Sequence, residues 1–452
     1  MTRLLLRWVQ SLAIAAVLLN LAARAGRAAD TYPASDPALP KLIEPSQVQE
    51  PDVYHARREA LMKEMSEGVA VIYSEGSEDG DGFRQSSDFY FLTGVSEAGA
   101  VLVLAPKERT HREFLLLPSR DPEAERWTGE RESIGVALRK KYGFEKIFRT
   151  GRLAGLVREL ATRSPVLWQV SFPEAGGDKK PADLELYGKI SSQLAGISTK
   201  PLPFTLARMR SKHSPDEIAL IQRAIRISEE GFRVAIQEIR PGGFEGTVEA
   251  EAERVWKARG ARRPAYASIV GSGPNSTILH YPKSERTMQN GELLLMDMSA
   301  EFAHYASDIT RTLPVNGKFT AAQRKVYDVV RQAQQAAFEM VRPGVYFEDL
   351  DAAARKIIEA AGYGEFFIHS LGHFVGLDVH DAGAYHEPLA ADMVITIEPG
   401  IYLPEQKLGV RIEDDVLVTE TGAKWLSDGL PRDADEVEKW MAARSESANS
   451  RK

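Results

Sequence analysis

The sequence predicts two folded parts, an α/β N-terminal domain followed by a duplicated α+β domain. The chain has 452 residues, more than one ordinary hydrophobic core accommodates. From Tyr54 to about Leu202, short apolar runs with the length of buried strands alternate with helical segments. The second half instead contains two long helical segments that end in the same Arg-Pro-Gly sequence, which favours one structural unit used twice.

The first 25 residues have the organisation of a signal peptide. Two arginines precede an apolar run, Ser11–Leu21, and the small-x-small sequence Ala23-Arg24-Ala25 follows it. A membrane anchor is the alternative, but a spanning helix needs about 20 apolar residues and this run is shorter. We therefore expect cleavage of residues 1–25, export to the periplasm or the medium, and no stable membrane span afterwards.

The composition excludes several classes of protein and of site. A formal net charge of −7 offers no basic surface for nucleic acid. The sequence contains no cysteine, which excludes disulfides, thiolate zinc sites and a cysteine nucleophile. Any metal ion must therefore be held by carboxylates and imidazoles, ligands that suit hard or borderline divalent ions.

Residues 51–205 are assigned to the N-terminal domain. Its clearest candidate strands are Val69–Tyr73, Ala100–Leu104 and Phe114–Leu117. The preceding residues, 26–50, are rich in Pro and Asp without apolar periodicity, so we predict a flexible mature N-terminus there.

Residues 206–438 are assigned to the second domain, and residues 439–452 to a polar tail. Ser214-Pro215-Asp216-Glu217 combines an N-cap serine, a proline at the first helical position and a capping-box glutamate, which predicts a helix start. Thr320-Ala321-Ala322-Gln323 predicts a second one in the same way.

The two Arg-Pro-Gly sequences are the main sign of a duplication. Ile239-Arg240-Pro241-Gly242 precedes an Ala/Glu/Arg-rich helix at Thr247–Arg259, and Val341-Arg342-Pro343-Gly344 precedes another at Glu348–Ala361. Their separation is too long for a solenoid repeat and indicates a repeated half-domain. Two coincidentally similar helix ends are the alternative.

Two aspartates are predicted to lie close together in the second domain. Asp297 is near the end of an apolar strand at Gly291–Met298, and Asp308 lies on a strand at Ser307–Leu313. A hairpin would place both carboxylates on one face, where like charges repel each other in apolar surroundings. A bound cation would remove that repulsion.

Three more candidate ligands follow. His373 lies between glycines, and Glu398 follows an apolar strand at Met393–Ile397. Arg411 and Glu413 alternate on one predicted strand and would therefore share a face.

Charge counting favours two divalent ions. Asp297, Asp308, Glu398 and Glu413 supply four negative charges, which two such ions balance, with His373 as a neutral ligand. Singly, these residues also fit turns, caps, a core histidine or a solvated ion pair. Together, four carboxylates on apolar strands are hard to place on the surface, so we predict a metal centre at the seam of the two halves.

Six short segments around these residues match one enzyme family. They are Leu-Met-Asp297-Met, Ala-Ser-Asp308-Ile-Thr-Arg, His369-Ser-Leu-Gly-His373, Gly-Leu-Asp-Val-His380-Asp, Ile-Thr-Ile-Glu398-Pro-Gly-Ile-Tyr and Val-Arg411-Ile-Glu413-Asp-Asp. With them, the sequence resembles the pita-bread metallopeptidases of the aminopeptidase P and prolidase branch, over roughly residues 50–435. Phe83–Gly94 and Arg120–Gly129 resemble the creatinase-type N-domain of that branch. The resemblance implies an α/β creatinase-like N-terminal domain and an α+β pita-bread catalytic domain.

The resemblance also implies a metal arrangement. It implies two manganese ions (Mn²⁺), with Asp308 and Glu413 bridging them. Asp297 would bind one ion, and His373 and Glu398 would bind the other.

Further roles follow from the same resemblance. His280 and His380 would contact the substrate, His369 and Arg411 would position groups around it, and Glu398 would transfer a proton. The expected reaction is hydrolysis of the bond before a proline at the second position of a peptide, releasing the N-terminal residue. We expect a homo-oligomer, a dimer or a tetramer.

The N-domain is predicted to block longer N-terminal extensions of the substrate. Tyr402 or Phe374 is predicted to line a proline pocket.

Two features leave the preferred peptide length open. Ser370 stands where the family commonly has glycine and adds a hydroxyl and a Cβ beside the cleft. Leu-Gly-His373 is closer to prolidase, whereas His280-Tyr-Pro-Lys-Ser-Glu is closer to aminopeptidase P, so an Xaa-Pro dipeptidase is the runner-up. A peptide-binding pseudoenzyme would have lost at least one metal ligand, and a creatine-type hydrolase would lack the set of metal ligands. All five metal-ligand positions of the family are filled in this sequence, which argues against both alternatives.

Overall fold

The computed structural model describes residues 49–75, 78–79, 82–171 and 180–449. The predicted signal peptide and almost all of the predicted flexible N-terminus lie outside the described residues. Within these ranges, no helix is both long enough and apolar enough to cross a membrane.

The N-terminal domain is an α/β layer around a six-stranded mixed sheet. Its elements are α1 (Pro51–Met65), β1 (Val69–Tyr73), β2 (Glu78–Asp79), β3 (Gly82–Phe83), α2 (Ser87–Thr93), β4 (Val101–Leu104), β5 (Glu113–Leu117), α3 (Glu125–Thr128), α4 (Val136–Tyr142), β6 (Lys146–Arg149), α5 (Leu153–Arg163), β7 (Val166–Gln169), α6 (Ala182–Ser191), β8 (Ser198–Pro201) and α7 (Pro203–Arg210). The strand order is β6-β5-β4-β1-β7-β8, antiparallel in the centre and parallel towards both edges. The three predicted strands are present, shifted by one residue at most.

Both faces of the central strands β1 and β4 are buried, which explains why these strands have continuous apolar sequences. In β1, Val69 and Val71 pack with α5 and α6, whereas Ala70 and Ile72 face α1 and α2. The second face belongs to a hydrophobic core that continues into the following domain. The N-terminal domain is thereby packed firmly against the residues that build the site.

The second domain consists of helix pairs and small antiparallel sheets. Its elements are α8 (Pro215–Ala235), α9 (Glu245–Ala258), β9 (Arg263–Pro264), β10 (Ile269–Ser272), β11 (Leu293–Asp297), β12 (Ala300–Glu301), β13 (Thr310–Pro314), α10 (Ala321–Met340), α11 (Phe347–Ala360), β14 (Val394–Ile397), β15 (Gly400–Leu403), β16 (Leu408–Arg411), β17 (Asp414–Val418), β18 (Ala423–Trp425) and α12 (Ala434–Asn449). The capping boxes predicted at Ser214 and Thr320 are confirmed at the starts of α8 and α10.

The order of elements repeats, as the duplication predicts. Helices α8 and α9 precede the sheet β10-β11-β13, and helices α10 and α11 precede the sheet β14-β17-β18. The two Arg-Pro-Gly glycines also correspond: Gly242 has φ 82° and Gly344 has φ 91°, a region that favours glycine. Each donates its N–H over 2.9 Å to a carbonyl of its own half, Gly242 to Met288 and Gly344 to Leu389. The match extends to the turn geometry and therefore favours a duplicated fold over coincidence.

Three local predictions differ from the structure. Asp308 precedes β13 instead of lying within a strand. The single strand expected around Arg411 and Glu413 is two strands, because β16 pairs with β15 and β17 pairs with β14, so the chain changes partner at Ile412 and Glu413. The predicted polar tail, 439–452, is helical through Asn449, because the apolar residues of α12 include Met441, which is only 1% exposed.

Candidate metal centre and active site

The five predicted ligands occupy the seam between the two halves. Asp297 ends β11, Asp308 lies just before β13, His373 lies in a loop, Glu398 follows β14, and Glu413 lies between β16 and β17. Ligand atoms of Asp308, His373 and Glu413 all lie within 4.8 Å of one another. His373 Nε2 is 3.4 Å from Asp308 Oδ2 and 3.4 Å from Glu398 Oε1. The fold therefore brings groups that are far apart in sequence into one cluster.

The cluster has the properties of a cation site. Burial raises the pKa values of Asp308, Glu398 and Glu413, and neighbouring carboxylates raise them further, for Glu398 to about 8. Asp308 Oδ1 is buried and finds no hydrogen-bond partner among the described residues. Buried acids with an unpartnered oxygen fit a divalent ion, which would supply both the missing ligand and the missing positive charge.

The imidazole of His373 is oriented towards the acids. Its Nδ1 lies 3.1 Å from the carbonyl oxygen of Phe374, so a proton on Nδ1 would be donated there and Nε2 would face the carboxylates. Burial opposes protonation, but Asp308 and Glu398 outweigh it and raise the pKa of His373 to about 9. A cation among the same acids would reverse that balance and favour the neutral, metal-binding imidazole.

Neighbouring polar groups hold the carboxylates in place. Tyr266 donates its hydroxyl to Asp297 Oδ1 over 2.5 Å, and Thr310 donates to Glu413 Oε2 over 2.6 Å. Asp415 Oδ2 accepts the backbone N–H of Asp308 over 3.0 Å. Such contacts fix ligand orientation before an ion arrives.

Arg411 connects the candidate ligand Asp297 to His369. Its Nη2 donates to Asp297 Oδ2, and its Nη1 donates to the Tyr402 hydroxyl over 2.7 Å. That hydroxyl lies 2.9 Å from His369 Nε2. Burial, together with the positive charge of Arg411, lowers the pKa of His369 to about 4, so this imidazole is neutral at physiological pH.

The predicted substrate-contacting histidines lie at the exposed edge of the cluster. The rings of His380 and His373 are edge to face with centroids 4.2 Å apart. Burial and the nearby His373 lower the pKa of His380. His280 is exposed and follows Leu279, whose carbonyl lies 3.5 Å from Arg411 Nη2. Both imidazoles remain accessible to a ligand in the cleft.

Tyr402 or Phe374 was predicted to line a proline pocket, but neither residue exposes its ring in the structure. Each ring is only 2% exposed. Phe374 packs against Phe347 and Tyr385. The Tyr402 hydroxyl lies within hydrogen-bond distance of both Arg411 Nη1 and His369 Nε2. Ser370, in contrast, is exposed next to His369, as expected for a residue beside the cleft.

Sequence reasoning missed three contributors to the site, Tyr266, Thr310 and Asp415. Tyr266 reaches Asp297 across 31 positions from a loop, and nothing in its local sequence signals that contact. Thr310 and Asp415 lie within the quoted ligand motifs, two positions after Asp308 and Glu413, and this proximity was the available signal.

A large cavity opens beside the cluster. It has a volume of about 450 Å³ and is lined by residues that include Tyr266, His380 and Glu301 of the second domain and Arg84 of the N-terminal domain. Its size falls within the range of small-ligand sites, roughly 300–1,000 Å³. The N-terminal domain therefore forms part of the wall of the candidate site.

Buried carboxylates and an imidazole at the centre of a duplicated α+β fold define the site of a metallohydrolase. Residues 219–420 match the model of metallopeptidase family M24, and residues 54–168 match that of the aminopeptidase P N-terminal domain. The chain belongs to the M24 metallopeptidases with an aminopeptidase P N-terminal domain.

Similar proteins include both kinds of peptidase that the sequence left open. The Xaa-Pro aminopeptidase of Escherichia coli K12 is 35% identical over 86% of this chain and 97% of its own length. The Xaa-Pro dipeptidase of Pyrococcus furiosus is 33% identical over 81% of this chain and 98% of its own length. The structure of a variant of E. coli aminopeptidase P in complex with substrate superposes with a TM-score of 0.80, at 32% identity, covering 88% of this chain and 99% of that one. The pita-bread fold class predicted from the sequence is thus confirmed.

Proposed function

We propose that this protein is a metal-dependent Xaa-Pro aminopeptidase, which hydrolyses the bond before a proline at position two and releases the N-terminal residue. The observation that carries this function is the buried acid and histidine cluster beside a cavity walled by the N-terminal domain. An Xaa-Pro dipeptidase is the second candidate, favoured by the similarity to the P. furiosus enzyme.

Asp297, Asp308, His373, Glu398 and Glu413 would hold two divalent ions, and we propose Mn²⁺ in both positions. Such ions would activate water for attack and polarise the scissile carbonyl. Oxygen and imidazole donors without thiolate suit manganese, and four carboxylates match the charge of two divalent ions.

Glu398 is the proposed proton carrier. In the metal-free site, burial raises the pKa of this carboxyl group to about 8 against the opposing charges of His373 and Arg411, so a proton is held easily there. During hydrolysis, a Glu398 oxygen would take the proton of the attacking water and pass it to the proline nitrogen as the peptide bond breaks. That nitrogen carries no hydrogen in the peptide, so its protonation is needed for it to leave as an amine.

His280 and His380 would donate N–H groups to the developing negative charge on the carbonyl oxygen. Both are exposed at the cluster, and the lowered pKa of His380 keeps that imidazole neutral. His369 and Arg411 would keep Asp297 and Tyr402 in fixed orientations through their hydrogen bonds.

The cavity supports action at the peptide terminus. Arg84 of the N-terminal domain lines one part of the cavity, and His380 lines another. In a substrate with an additional residue before the released one, that residue would have to extend past the part of the cavity wall formed by Arg84. The N-terminal domain would therefore exclude longer N-terminal extensions.

The decisive assay is release of the N-terminal residue from a pentapeptide with proline second. Metal-stripped protein should be inactive, added Mn²⁺ should restore release, and Asp308→Ala should stay inactive with Mn²⁺. Asp328→Ala, at a partly exposed helical position, is the matched acidic control and should behave as the parent. Cleavage of an Xaa-Pro dipeptide without release from the pentapeptide would establish the dipeptidase instead. Equal rates on an alanine-second analogue would refute proline specificity.

Export and oligomerisation complete the proposal. Residues 1–25 are proposed to direct export to the periplasm or the medium, which N-terminal sequencing of the processed protein would test by a start at Gly26. A homo-oligomer, a dimer or a tetramer, is supported by Trp127 and Val136 of the N-terminal domain, which are 91% and 77% exposed. Sedimentation of the parent and of Trp127→Glu would test it, and a monomeric parent would refute it.

A further inference from the structure

The loop that carries His380 has no regular secondary structure of its own. Residues 375–381 form neither helix nor strand. An irregular segment next to the site needs other contacts to hold its conformation, because each ordered residue loses about 1–2 kcal/mol of backbone entropy. Side chains from outside the loop supply these contacts.

Asp378, two positions before His380, is the centre of these contacts. Its Oδ1 accepts hydrogen bonds from Arg84 Nη1 and from the Ser87 hydroxyl, each over 2.7 Å. Its Oδ2 accepts one from Arg210 Nη2, also over 2.7 Å. Arg84 additionally donates through Nη2 to the carbonyl oxygen of Leu377. Three side chains from outside the loop therefore converge on one carboxylate.

Two of these donors, Arg84 and Ser87, belong to the N-terminal domain, and the third, Arg210, lies at the boundary between the domains. Arg84 follows the β2–β3 hairpin, Ser87 begins α2, and Arg210 ends α7, at the domain boundary. Arg84 and Asp378 are 294 positions apart in the sequence. The loop beside the metal cluster is therefore held largely by a domain that supplies none of the predicted metal ligands.

The charges strengthen this attachment. Burial opposes ionisation of Asp378, but Arg210 and Arg84 outweigh it and hold the pKa of this carboxyl group below its ordinary value. The ionised carboxylate makes these contacts charge-assisted, and such hydrogen bonds are roughly twice as strong as neutral ones.

The loop is also fixed on the other side of His380. Asp381 Oδ2 accepts the N–H of Leu377 over 3.0 Å, so the two ends of the loop are tied together. At Gly376 a Cβ would lie against Asp381 Oδ2 and 2.7 Å from His213 Cε1. Because these contacts leave the loop little freedom to move, a displacement of Asp378 would also displace the His380 imidazole.

We propose that Arg84 is a positioning residue for His380, acting through Asp378. The inference rests on the proposed function in one respect, the contact of His380 with the substrate. It assigns the N-terminal domain a part in orienting a catalytic group, in addition to blocking extended peptides. Removal of the Arg84 guanidinium frees one side of Asp378, and the His380 imidazole then samples orientations that do not reach the substrate.

The first experiment is a double-mutant cycle on the manganese-loaded full-length protein. Arg84→Gln should lower kcat/KM by about tenfold, less than the ~100-fold that a 1 Å displacement can cause. Arg84→Lys keeps the charge and should recover part of the loss. In a His380→Ala background, Arg84→Gln should change kcat/KM by no more than about twofold, because the residue through which it acts is absent.

Arg57→Gln is the matched control. Arg57 also connects the two domains, through a contact of 2.9 Å between its Nη2 and Glu217 Oε1, but no hydrogen bond or ion pair in the described structure joins it to the His380 loop. It should lower thermal stability as much as Arg84→Gln does while leaving kcat/KM within about twofold of the parent. An equal loss of activity in Arg57→Gln would attribute the effect to the domain interface in general and overturn the proposal.

The second experiment does not depend on activity. The sequence contains nine histidines, so ring-carbon NMR spectra of ¹³C-histidine-labelled, zinc-loaded protein can be assigned by single substitutions. Arg84→Gln should shift or broaden the His380 signal and leave that of the distant surface residue His111 unchanged, whereas Arg57→Gln should move neither. An unchanged His380 signal would overturn the proposal even if the protein proved inactive on proline peptides, and so would a full Arg84→Gln effect in the His380→Ala background.

Discussion

Thr310 and Glu413 are joined twice across the seam of the two half-domains. Their backbones form an isolated antiparallel bridge in which the Glu413 N–H lies 3.1 Å from the Thr310 carbonyl oxygen. The Thr310 hydroxyl also donates to Glu413 Oε2 over 2.6 Å. One threonine of the first half thus fixes both the main chain and the carboxylate of a candidate metal ligand in the second half.

Thr310→Val should weaken metal binding while preserving the fold. Valine keeps the shape and the backbone bridge but loses the hydroxyl that orients Glu413. Loss of such a contact typically reduces metal affinity by about 10–100-fold, and we expect the lower end because the main-chain bridge remains. Competition against a chromogenic chelator measures the affinity. Thr277→Val, which removes only a hydroxyl bonded to the Pro274 carbonyl, should bind as the parent does; equal affinities in both variants would contradict the expectation.

Glu398→Gln should reduce the pH dependence of the stability of the metal-free protein. The folded-state pKa of Glu398 is about 8 against an ordinary value of 4.5, so the folded state binds more protons than the unfolded chain between these values. Stability therefore falls as the pH rises through this window. Glutamine does not titrate, so the variant should lose less stability between pH 5 and pH 8, by at least about 1.4 kcal/mol, the free energy of one pKa unit.

Urea unfolding in the presence of a chelator measures this difference. The exposed Glu339→Gln is the control and should follow the parent across the same pH range. Parallel stability curves for Glu398→Gln and the parent would show that Glu398 titrates normally in the folded protein.

His304→Asn should also reduce the pH dependence of stability, but on the acidic side. Burial, together with the nearby Arg84, lowers the pKa of His304 from 6.5 to about 4. The unfolded chain binds the proton first, so the protein loses stability as the pH falls from about 6.5 towards 4. Asparagine tolerates the backbone φ of 73° at this position and does not titrate there.

The variant should therefore lose less stability than the parent between pH 7 and pH 5. Thermal melts at the two pH values provide the comparison. An equal loss in both proteins would place the acid sensitivity elsewhere.

Gly372→Ala should damage both the fold and the metal centre. A Cβ at Gly372 would lie against the Thr396 carbonyl oxygen and 2.5 Å from Thr396 Oγ1, the atom that accepts the His373 N–H. Overpacking of this kind costs about 1–3 kcal/mol, and the displaced His373 should bind metal more weakly. Gly422→Ala, where a Cβ would meet nothing within 4 Å, is the control. If Gly372→Ala unfolds and binds metal as the parent protein does, the loop around Gly372 can move to accommodate the added Cβ.

Local signals made much of the fold predictable from the sequence. Strand β1 matches its prediction at both ends, because a strand buried on both faces has an uninterrupted apolar sequence. The helix starts at Ser214 and Thr320 depend on side chains within four positions, so the sequence alone contains them. The five candidate ligands were visible because each follows or adjoins an apolar segment, although their role as metal ligands remains a prediction.

The features that the sequence did not predict depend on contacts between residues that are far apart in the chain. Alternation continues through Val410-Arg411-Ile412-Glu413, so nothing in the local pattern shows that the chain changes its pairing strand at Glu413. The contact of Tyr266 with Asp297 and that of Arg84 with Asp378 involve residues in loops, Tyr266, Arg84 and Asp378, where periodicity carries no information. Burial of Tyr402 and Phe374 follows from packing across helices and strands that only the folded chain brings together.

The placement of Glu413 late in the chain has a consequence for biosynthesis. Asp297 and Asp308 are made well before it, and domains generally fold from the N-terminus as the chain emerges. Until β17 has paired with β14 and Thr310 has engaged Glu413, the cluster lacks one of its three most closely grouped candidate ligands. A nascent chain can therefore complete its N-terminal domain and the first half of its second domain before this cluster is assembled.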